Sequence, residues 1–318
     1  MKLSTALDGF ILYAKASGKS PNTIELYRIY LTRMIEHLGD PEMASVSTDD
    51  IVRFYAYMQT DYKPRRVSQR DDPLSKSTVN KIWVAIRSFY NWASPKFKIP
   101  RADTEISMVE DPQEEIVPFS EEEIKRLISA SQRTWCKGSN HQCEHYQRRP
   151  TRIRDYAIIL FLLDTGVRAE ELCRLYVSEV NLSTGDVKIR KFGSGRKTSG
   201  RTVYVETKTR QALWDYLNSR NAAHDERVFL TKENKSMDRN SLRCLLEDLG
   251  RKAGTVTANP HRFRHTFAIQ YLRNGGDIFT LQRLLGHTSL KMVKRYLAIA
   301  DVDSAKAHKR ASPVENWL

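Results

Sequence analysis

The first hundred residues repeat one pattern, in which a residue suited to cap a helix precedes apolar residues spaced three and four positions apart. In SPNTIELYRIYLTRMIEHLG, Ser20 is suited to the cap, Pro21 to the first turn and Gly39 to the end of a helix. The same apolar spacing recurs in STDDIVRFYAYM and in SKSTVNKIWVAIRSFYNWA. The pattern predicts a small bundle of helices around one apolar core.

The periodicity stops between Ser94 and Pro118, where four prolines interrupt the chain. Such a stretch is typical of a linker between domains. We therefore predict a helical first domain over residues 1–103, a linker over 104–117, and a second domain over 118–318 that includes a C-terminal tail.

The second domain mixes two kinds of pattern. A capping box of Ser120 and Glu123 opens it, and the apolar run YAIILFLL predicts a buried helix. The stretches GDVKIRKF and GRTVYVE alternate as strands do, around a turn rich in glycine, serine and lysine. The prediction is a mainly α-helical fold with a small antiparallel β-sheet in the second domain.

Composition adds a partner class to this picture. The chain of 318 residues carries a formal net charge of +14, which favours a polyanion such as nucleic acid. The longest apolar run, residues 156–163, is far shorter than the roughly 20 residues that span a bilayer, so no membrane role is expected. The four cysteines are scattered, which favours a reducing compartment and a cytoplasmic protein without disulfides.

The motif NPHRFRH places four cationic or titratable side chains at one helix start. Pro260 fixes the first turn, His261 lies in it, and Arg264 and His265 follow three and four positions later on one face, with Arg262 beside them. Backbone N–H groups at the helix start add positive charge, so the motif predicts a phosphate site. Zinc is the competing interpretation, but the glutamate of an HExxH motif is missing and Arg264 would repel a cation.

Other basic residues are ambiguous when each is taken alone. Arg168 comes just after a glycine, at the start of a predicted helix, and taken alone it is best explained by an ion pair with Glu170 or Glu171. Lys191 and Lys197 lie in a glycine-rich hairpin, whose tip is commonly exposed to solvent.

Three motifs together resolve this ambiguity. In chain order they are TGVRAEEL with Arg168, HRFRHTFA with His261 and Arg264, and LLGHTSLKMVKRY with His287 and Tyr296. On these motifs the second domain resembles the catalytic domain of the tyrosine recombinases, which include the phage integrases and Xer-type site-specific DNA recombinases. The first domain, from SPNTIELY onward, is similar to the SAM-like core-binding domain of that family.

The resemblance implies an enzyme that cleaves and rejoins duplex DNA through a 3′-phosphotyrosine, without metal, ATP or another cofactor. It implies Tyr296 as the nucleophile and Arg168 and Arg264 as the groups that bind the nonbridging oxygens of the phosphate. By the same resemblance, His261 is the general base or proton-managing residue. His287 is expected to hydrogen-bond a phosphate oxygen and to help place the tyrosine.

The family also implies a lysine as the general acid for the leaving 5′-oxygen. We expect Lys191, near the end of the first strand, to fill this role, and Lys197 is the rival because the hairpin is longer than the usual family turn. His265 is expected to pack as a core histidine.

A second group of basic residues is expected to contact the DNA backbone. They are Arg65, Arg66, Lys81, Arg87 and Arg262. For Lys81 and Arg87 the alternative is a solvated helix face.

The segment WCKGSNHQCEHYQRRPTR departs from the family pattern. Cys136, His141, Cys143 and His145 have the ligand types of a zinc site, but their spacing lacks the CxxC turn of common zinc sites. We favour an exposed loop on DNA, so the expected metal set is empty.

Several points stay open at this level. The family suggests a homotetramer on two DNA sites, with a dimer on each site, coupling through the C-terminal tail, and accessory DNA-bending proteins. A type IB topoisomerase, a telomere resolvase and a non-catalytic DNA-binding regulator remain alternatives, although a regulator would have no need for Tyr296. The target sequence, and the choice among integration, excision and resolution in the nucleoid or in a mobile element, cannot be read from the chain.

Overall fold

The computed structural model describes residues 1–64, 72–111, 115–136, 145–191, 200–220, 227–255, 257–287, 289–300, 312 and 314. The chain divides into two compact units, and the division falls between residues 114 and 115. No helix in the described part of the chain is both long enough and apolar enough to cross a membrane.

The first unit is the predicted helical bundle. Its helices are α1 (Leu3–Ala16), α2 (Pro21–Leu38), α3 (Thr48–Thr60) and α4 (Lys76–Phe97), with a short 3-10 helix at Met43–Ser45. The Ser20 hydroxyl accepts a hydrogen bond from the backbone of Thr23, and Gly39 ends α2 in the left-handed conformation that glycine tolerates. The predicted caps of α2 are thus confirmed.

The chain that follows α4 returns to the first unit. Asn80 binds the backbone of Val109 through both its amide nitrogen (2.9 Å) and its amide oxygen (2.8 Å). Trp83 donates to the carbonyl of Ile106 at 3.0 Å. The first part of the segment predicted as a linker over 104–117 therefore packs on α4. Side chains of α4 form hydrogen bonds with its backbone, although the segment itself has no helical periodicity.

The second unit contains eight α-helices and two strand pairs within the described residues. The helices are α5 (Glu121–Gln132), α6 (Arg152–Thr165), α7 (Ala169–Cys173), α8 (Thr207–Ser219), α9 (Arg239–Lys252), α10 (Pro260–Arg273), α11 (Ile278–Leu285) and α12 (Leu290–Ala300). The strands are β1 (Arg133–Cys136), β2 (His145–Arg148), β3 (Asp186–Ile189) and β4 (Arg201–Tyr204). The predicted fold class, mainly α-helical with a small antiparallel sheet, is confirmed.

The two strand pairs differ in how well the sequence predicted them. β3 and β4 are antiparallel, with Asp186 opposite Tyr204 and Ile189 opposite Arg201, as the alternating pattern predicts. β1 and β2 form a second antiparallel pair, with Cys136 opposite His145. The prediction of an exposed loop is therefore wrong for the residues of these two strands. Each strand has four residues, too few for an alternation of apolar and polar positions to show in the sequence.

The core of the second unit is built on α6, which packs against α5, α8 and α10. Its central residues are buried on every side, which explains the continuous apolar run. The helix ends at Gly166, where φ is 58° and an added Cβ would lie 2.4 Å from the ring of Phe267. Only glycine fits this close approach between α6 and α10.

The contact between Asn80 and the returning chain gives a stability prediction. Asn80→Ala should remove both hydrogen bonds to Val109 and weaken the attachment by about 1–3 kcal/mol. Hydrogen exchange at the Val109 amide should then accelerate by about tenfold or more. Lys81→Ala, one position along on the exposed face of α4, is the control and should leave this exchange unchanged. Equal exchange in both variants would contradict the proposed attachment.

Candidate active site

Helix α10 presents the predicted phosphate-binding motif. Asn259 caps the helix by accepting a hydrogen bond from the backbone N–H of Arg262 at 2.9 Å, and Pro260 occupies the first helical position. His261 is exposed at the helix start, whereas the Arg264 residue is only 4% exposed. One helix therefore carries a histidine at the surface and a guanidinium in the interior, one turn apart.

The guanidinium of Arg264 joins three segments of the second unit. It donates to the carbonyl of Gly166 at 2.7 Å and to the carbonyl of Leu285 at 2.7 Å, and it lies 2.8 Å from Nε2 of His287. These three hydrogen-bond partners are neutral groups. Among the described residues, no carboxylate is in direct contact with Arg264, so these neutral groups hold its charge in place.

Arg168 lies beside Arg264 but has a different partner set. Its guanidinium donates to Glu171 at 3.2 Å and shares the Leu285 carbonyl with Arg264, at 3.3 Å. The ion pair with Glu171 is thus present, and it does not remove Arg168 from the cluster. Glu171 also accepts from the backbone of Arg168 at 2.7 Å, which fixes the start of α7.

Arg201, the first residue of β4, is a site residue that the sequence did not reveal. Both of its terminal nitrogens bind the two oxygens of Glu171 at 2.8 Å, and its side chain is 6% exposed. Burial raises the pKa of Glu171, but the hydrogen bond and charge of Arg201, together with Arg168, outweigh burial and lower it overall. Glu171 is therefore ionised and links Arg201 to Arg168.

The candidate nucleophile lies in this cluster within the same chain. Tyr296 of α12 is 2% exposed, and its hydroxyl lies 2.9 Å from Nδ1 of His265. The ring of His287 stacks on the ring of Tyr296, with centroids 6.4 Å apart and an interplanar angle of 13°. Burial raises the pKa of Tyr296, while the charges of Arg264 and Arg295 act to lower it. Tyr296 is therefore a neutral phenol, with its hydroxyl on His265 and its ring stacked with that of His287.

The three histidines of the cluster are neutral at physiological pH. Burial, with the charges of Arg264 and Arg168, lowers the pKa of His287 to about 4. Since a guanidinium only donates, His287 accepts through Nε2 and carries its proton on Nδ1, which has no hydrogen-bond partner among the described residues. Partial desolvation and the same two arginines also lower the pKa of His261.

His265 does more than the predicted core packing. It is half-buried, its ring centroid is 5.6 Å from that of Tyr296, and it hydrogen-bonds the candidate nucleophile. A signal for this was present in the HRFRH spacing, because His265 lies one helical turn beyond His261 on the phosphate-facing side. What the sequence could not show was that α12 packs its tyrosine against that face.

The lysine candidates are resolved only in part. Lys191 is exposed just beyond the end of β3, and it makes no hydrogen bond or ion pair within the described residues. Lys197 lies outside the described residues. The choice between them stays a prediction.

Four of the five residues expected to contact DNA belong to the first unit, and the structure describes two of these four. Lys81 is exposed on α4, and Arg87 is 45% exposed with its guanidinium over the ring of Trp83 and 4.0 Å from Asp103. Arg65 and Arg66 lie outside the described residues. Exposure on α4 leaves Lys81 and Arg87 available to a partner.

Arg262 has a structural role, which corrects the prediction of a phosphate contact. Its guanidinium binds both oxygens of Glu123 (2.8 and 2.9 Å), donates to the carbonyls of Val117, Pro118 and Thr257, and covers the ring of Phe119. Only 11% of the side chain is exposed. Its donors and its charge are thus satisfied within the protein, where they fasten the start of α5 to α10.

The zinc alternative concerns residues that are mostly not described. His141 and Cys143 lie outside the described residues, and for Cys136 and His145 only the backbone pairing across β1 and β2 is available. Among the residues that are described, no group of three or more histidine, cysteine, aspartate or glutamate side chains is arranged to hold a metal ion.

The fold and this cluster of residues correspond to a known family. The family model described as "Phage integrase family" matches residues 118–302, and the model described as "Phage integrase, N-terminal SAM-like domain" matches residues 7–96. The chain belongs to the phage integrase family, and it is a DNA recombinase of the tyrosine type. The predicted enzyme class and the predicted pairing of domain types are therefore confirmed.

Particular relatives align along nearly the whole chain. The tyrosine recombinase XerA of Thermococcus kodakarensis is 29% identical, over 98% of this chain and 97% of its own. The tyrosine recombinase XerC of Staphylococcus carnosus is 26% identical, over 83% of this chain and 89% of its own. The Tn1549 transposon integrase, solved in complex with a circular intermediate DNA, shares the fold with a TM-score of 0.72 at 20% identity, over 96% of this chain and 98% of that one.

The buried pair of Arg201 and Glu171 gives a second stability prediction. Arg201→Met should destabilise the second unit by about 3 kcal/mol, because Glu171 loses its bidentate partner while it stays buried. Lys125→Met, which breaks an exposed pair with Glu121, should change the stability far less than Arg201→Met does. Thermal unfolding of the two variants measures the difference.

The same pair sets a pH dependence. Because the folded-state pKa of Glu171 is lowered from 4.5, its stabilisation is present above that ordinary value and is lost as the pH falls through the lowered pKa. The difference in the free energy of unfolding between the wild-type protein and Arg201→Met should therefore become smaller as the pH falls below 4.5, the ordinary pKa of a glutamate. A gap that stays constant with pH would contradict this assignment.

Proposed function

We propose that the chain is a site-specific recombinase that cleaves and rejoins duplex DNA through a 3′-phosphotyrosine on Tyr296. The observation that carries the proposal is the position of Tyr296: its hydroxyl lies 2.9 Å from Nδ1 of His265, and its ring is stacked with the ring of His287, whose Nε2 is hydrogen-bonded to the buried Arg264. A buried phenol beside a buried guanidinium suits attack on an anionic phosphorus centre.

The two arginines suit the nonbridging oxygens of a phosphodiester. Among the described residues, the hydrogen-bond partners of Arg264 are neutral, so its charge is available to an anion. Arg168 is partly neutralised by Glu171, yet it shares the Leu285 carbonyl with Arg264 and is one-quarter exposed. Two fixed guanidinium groups next to each other stabilise the charge that grows on the oxygens during transfer.

The proposed reaction conserves the energy of the phosphodiester bond. The Tyr296 oxygen bonds to phosphorus, the bond from phosphorus to the 5′-oxygen breaks, and Lys191 or Lys197 gives a proton to the departing oxygen. Attack by a 5′-hydroxyl of a partner strand reverses these steps and regenerates the tyrosine. No nucleotide hydrolysis or metal ion is required by this sequence of steps.

The neutral histidines suit supporting roles. Nδ1 of His287 carries a proton that no described residue accepts, so a phosphate oxygen is a fitting partner for it. His261 is exposed at the mouth of the cluster, which suits the exchange of protons during the two transfers.

Duplex DNA is the proposed substrate and partner. The net charge of +14 supports this, as does the likeness to a transposon integrase that was solved with DNA. We propose Arg65, Arg66, Lys81 and Arg87 as contacts to the backbone and omit Arg262. A homotetramer on two sites, with a dimer on each, accessory DNA-bending proteins and a cytoplasmic location on the nucleoid remain part of the same proposal.

The nucleophile assignment is tested by Tyr296→Phe. The variant should bind duplex DNA as the wild-type protein does but form no covalent adduct, because the attacking oxygen is lost. Suitable duplexes are those recovered from a randomised pool by binding to the wild-type protein, and adducts are measured on denaturing gels. An adduct of undiminished yield in the variant would refute the assignment of Tyr296.

The phosphate-binding role is tested by two neighbouring arginines. Arg264→Lys should slow single-turnover cleavage by about 10²- to 10³-fold, because lysine cannot keep the Gly166 and Leu285 contacts and also offer a fixed fork to phosphate.

Arg262→Lys is the matched control, since it removes a guanidinium two positions away whose partners among the described residues are Glu123, three carbonyls and Phe119. It should lower the melting temperature and leave the cleavage rate of the folded protein near wild-type. Equal rate losses in the two lysine variants would mean that Arg264 acts through stability alone.

A further inference from the structure

One contact in the cluster is not used by the reaction described above. Nδ1 of His265 lies 2.9 Å from the Tyr296 hydroxyl, and the two rings are tilted by 51° with centroids 5.6 Å apart. The contact joins α10 to α12, so it depends on the packing of those two helices. Its distance is that of a normal hydrogen bond.

The geometry points to His265 as the catalytic proton acceptor for Tyr296, an inference that rests on the proposed role of Tyr296 as nucleophile. His265 touches the reacting oxygen itself. A phenol donates its proton to an unprotonated imidazole nitrogen, so the contact with His265 leaves the lone pairs of the Tyr296 oxygen unused, and Arg264 hydrogen-bonds the same side chain.

The other candidates lack this contact: His261, the general base that the family resemblance implies, is exposed at the start of α10 and has no recorded hydrogen bond to the Tyr296 hydroxyl among the described residues. Nε2 of His287 accepts from Arg264, and its ring is stacked on Tyr296 at 13°, so no lone pair of His287 points at the hydroxyl. Guanidinium groups have no acceptor. Within the described residues, His265 is the only side chain whose basic nitrogen is hydrogen-bonded to the Tyr296 hydroxyl.

The surrounding charges make the transfer depend on the substrate. Burial lowers the pKa of His265 to about 4, and the neighbouring His261 and the charges of Arg264 and Arg295 act in the same direction, so His265 is neutral and able to accept. The same charges oppose an imidazolium until a phosphodiester brings its own negative charge to the cluster. Tyr296 is therefore kept as a phenol until DNA is bound.

The proposed step balances in atoms and charge. As the bond from the Tyr296 oxygen to phosphorus forms, the O–H bond breaks and its proton moves along the existing hydrogen bond to Nδ1 of His265. On rejoining, the tyrosine oxygen leaves phosphorus and takes the proton back from the imidazolium. The proton on the 5′-oxygen belongs to a separate group, Lys191 or Lys197.

Two variants separate proton acceptance from packing and from hydrogen bonding. His265→Asn keeps an acceptor near the position of Nδ1 but cannot hold the proton, whereas His265→Phe keeps a ring and removes both properties. We expect each to slow single-turnover cleavage by about 10²- to 10⁴-fold with unchanged DNA affinity. His37→Asn is the matched control, because His37 also stacks on a tyrosine, Tyr57, at 4.6 Å.

A second substrate tests which proton is involved. In a duplex with sulfur in place of the scissile bridging 5′-oxygen, the leaving thiolate needs no general acid. This substrate should leave both His265 variants slow, because the tyrosine must still lose its proton. Restoration of their rates by sulfur would overturn the inference by placing His265 on the leaving-group side.

The remaining outcomes are also decisive. A wild-type rate in His265→Phe would reduce His265 to packing, and a wild-type rate in His265→Asn would reduce it to a hydrogen-bond partner. Either result overturns proton acceptance. If the Phe variant fails to fold, the Asn variant alone decides. An adduct in Tyr296→Phe on the same duplexes would instead refute the proposed function, so the two failures are distinguishable.

Discussion

The arrangement of this site depends on the burial of one guanidinium group, that of Arg264. Arg264 can be buried only if its donors are satisfied, and the groups that satisfy them are the carbonyls of Gly166 and Leu285 and the imidazole of His287. These groups come from the end of α6, the end of α11 and the residues just after it. Satisfying Arg264 therefore fixes the two helix ends and the histidine that stacks on Tyr296.

Whether an arginine of the site is neutralised depends on the charge of the groups that it contacts. Arg262 is paired with Glu123 and Arg201 with Glu171, so both are neutralised and hold the fold together. Within the part of the chain that the structure describes, Arg264 is hydrogen-bonded to neutral groups and keeps its charge. A guanidinium that is buried without a carboxylate in contact is costly to the fold, and an anionic substrate offsets that cost. Two arginines of one motif thus differ: Arg262 holds the fold together, and Arg264 is the one proposed to bind phosphate.

Much of the molecule was predictable from local patterns. Caps and periodic apolar positions predicted helices such as α2, and the ordered motifs predicted the family. What failed depends on contacts between distant segments. Strands β1 and β2 have too few residues for alternation to show, and Arg201 has no motif because its role arises from pairing with Glu171. The contact of His265 with Tyr296 needed the packing of α10 on α12, which periodicity does not determine.

The central claim is that the uncompensated charge of Arg264 holds a phosphoryl group against the Tyr296 oxygen. Vanadate forms five-coordinate esters with hydroxyl groups, so a crystal structure of the protein with vanadate and duplex DNA tests the claim directly. The account predicts vanadium bonded to the Tyr296 oxygen, with Arg168 and Arg264 on its equatorial oxygens. Vanadate bound elsewhere, with the Tyr296 hydroxyl still on His265 and Arg264 contacting no oxyanion, would contradict it.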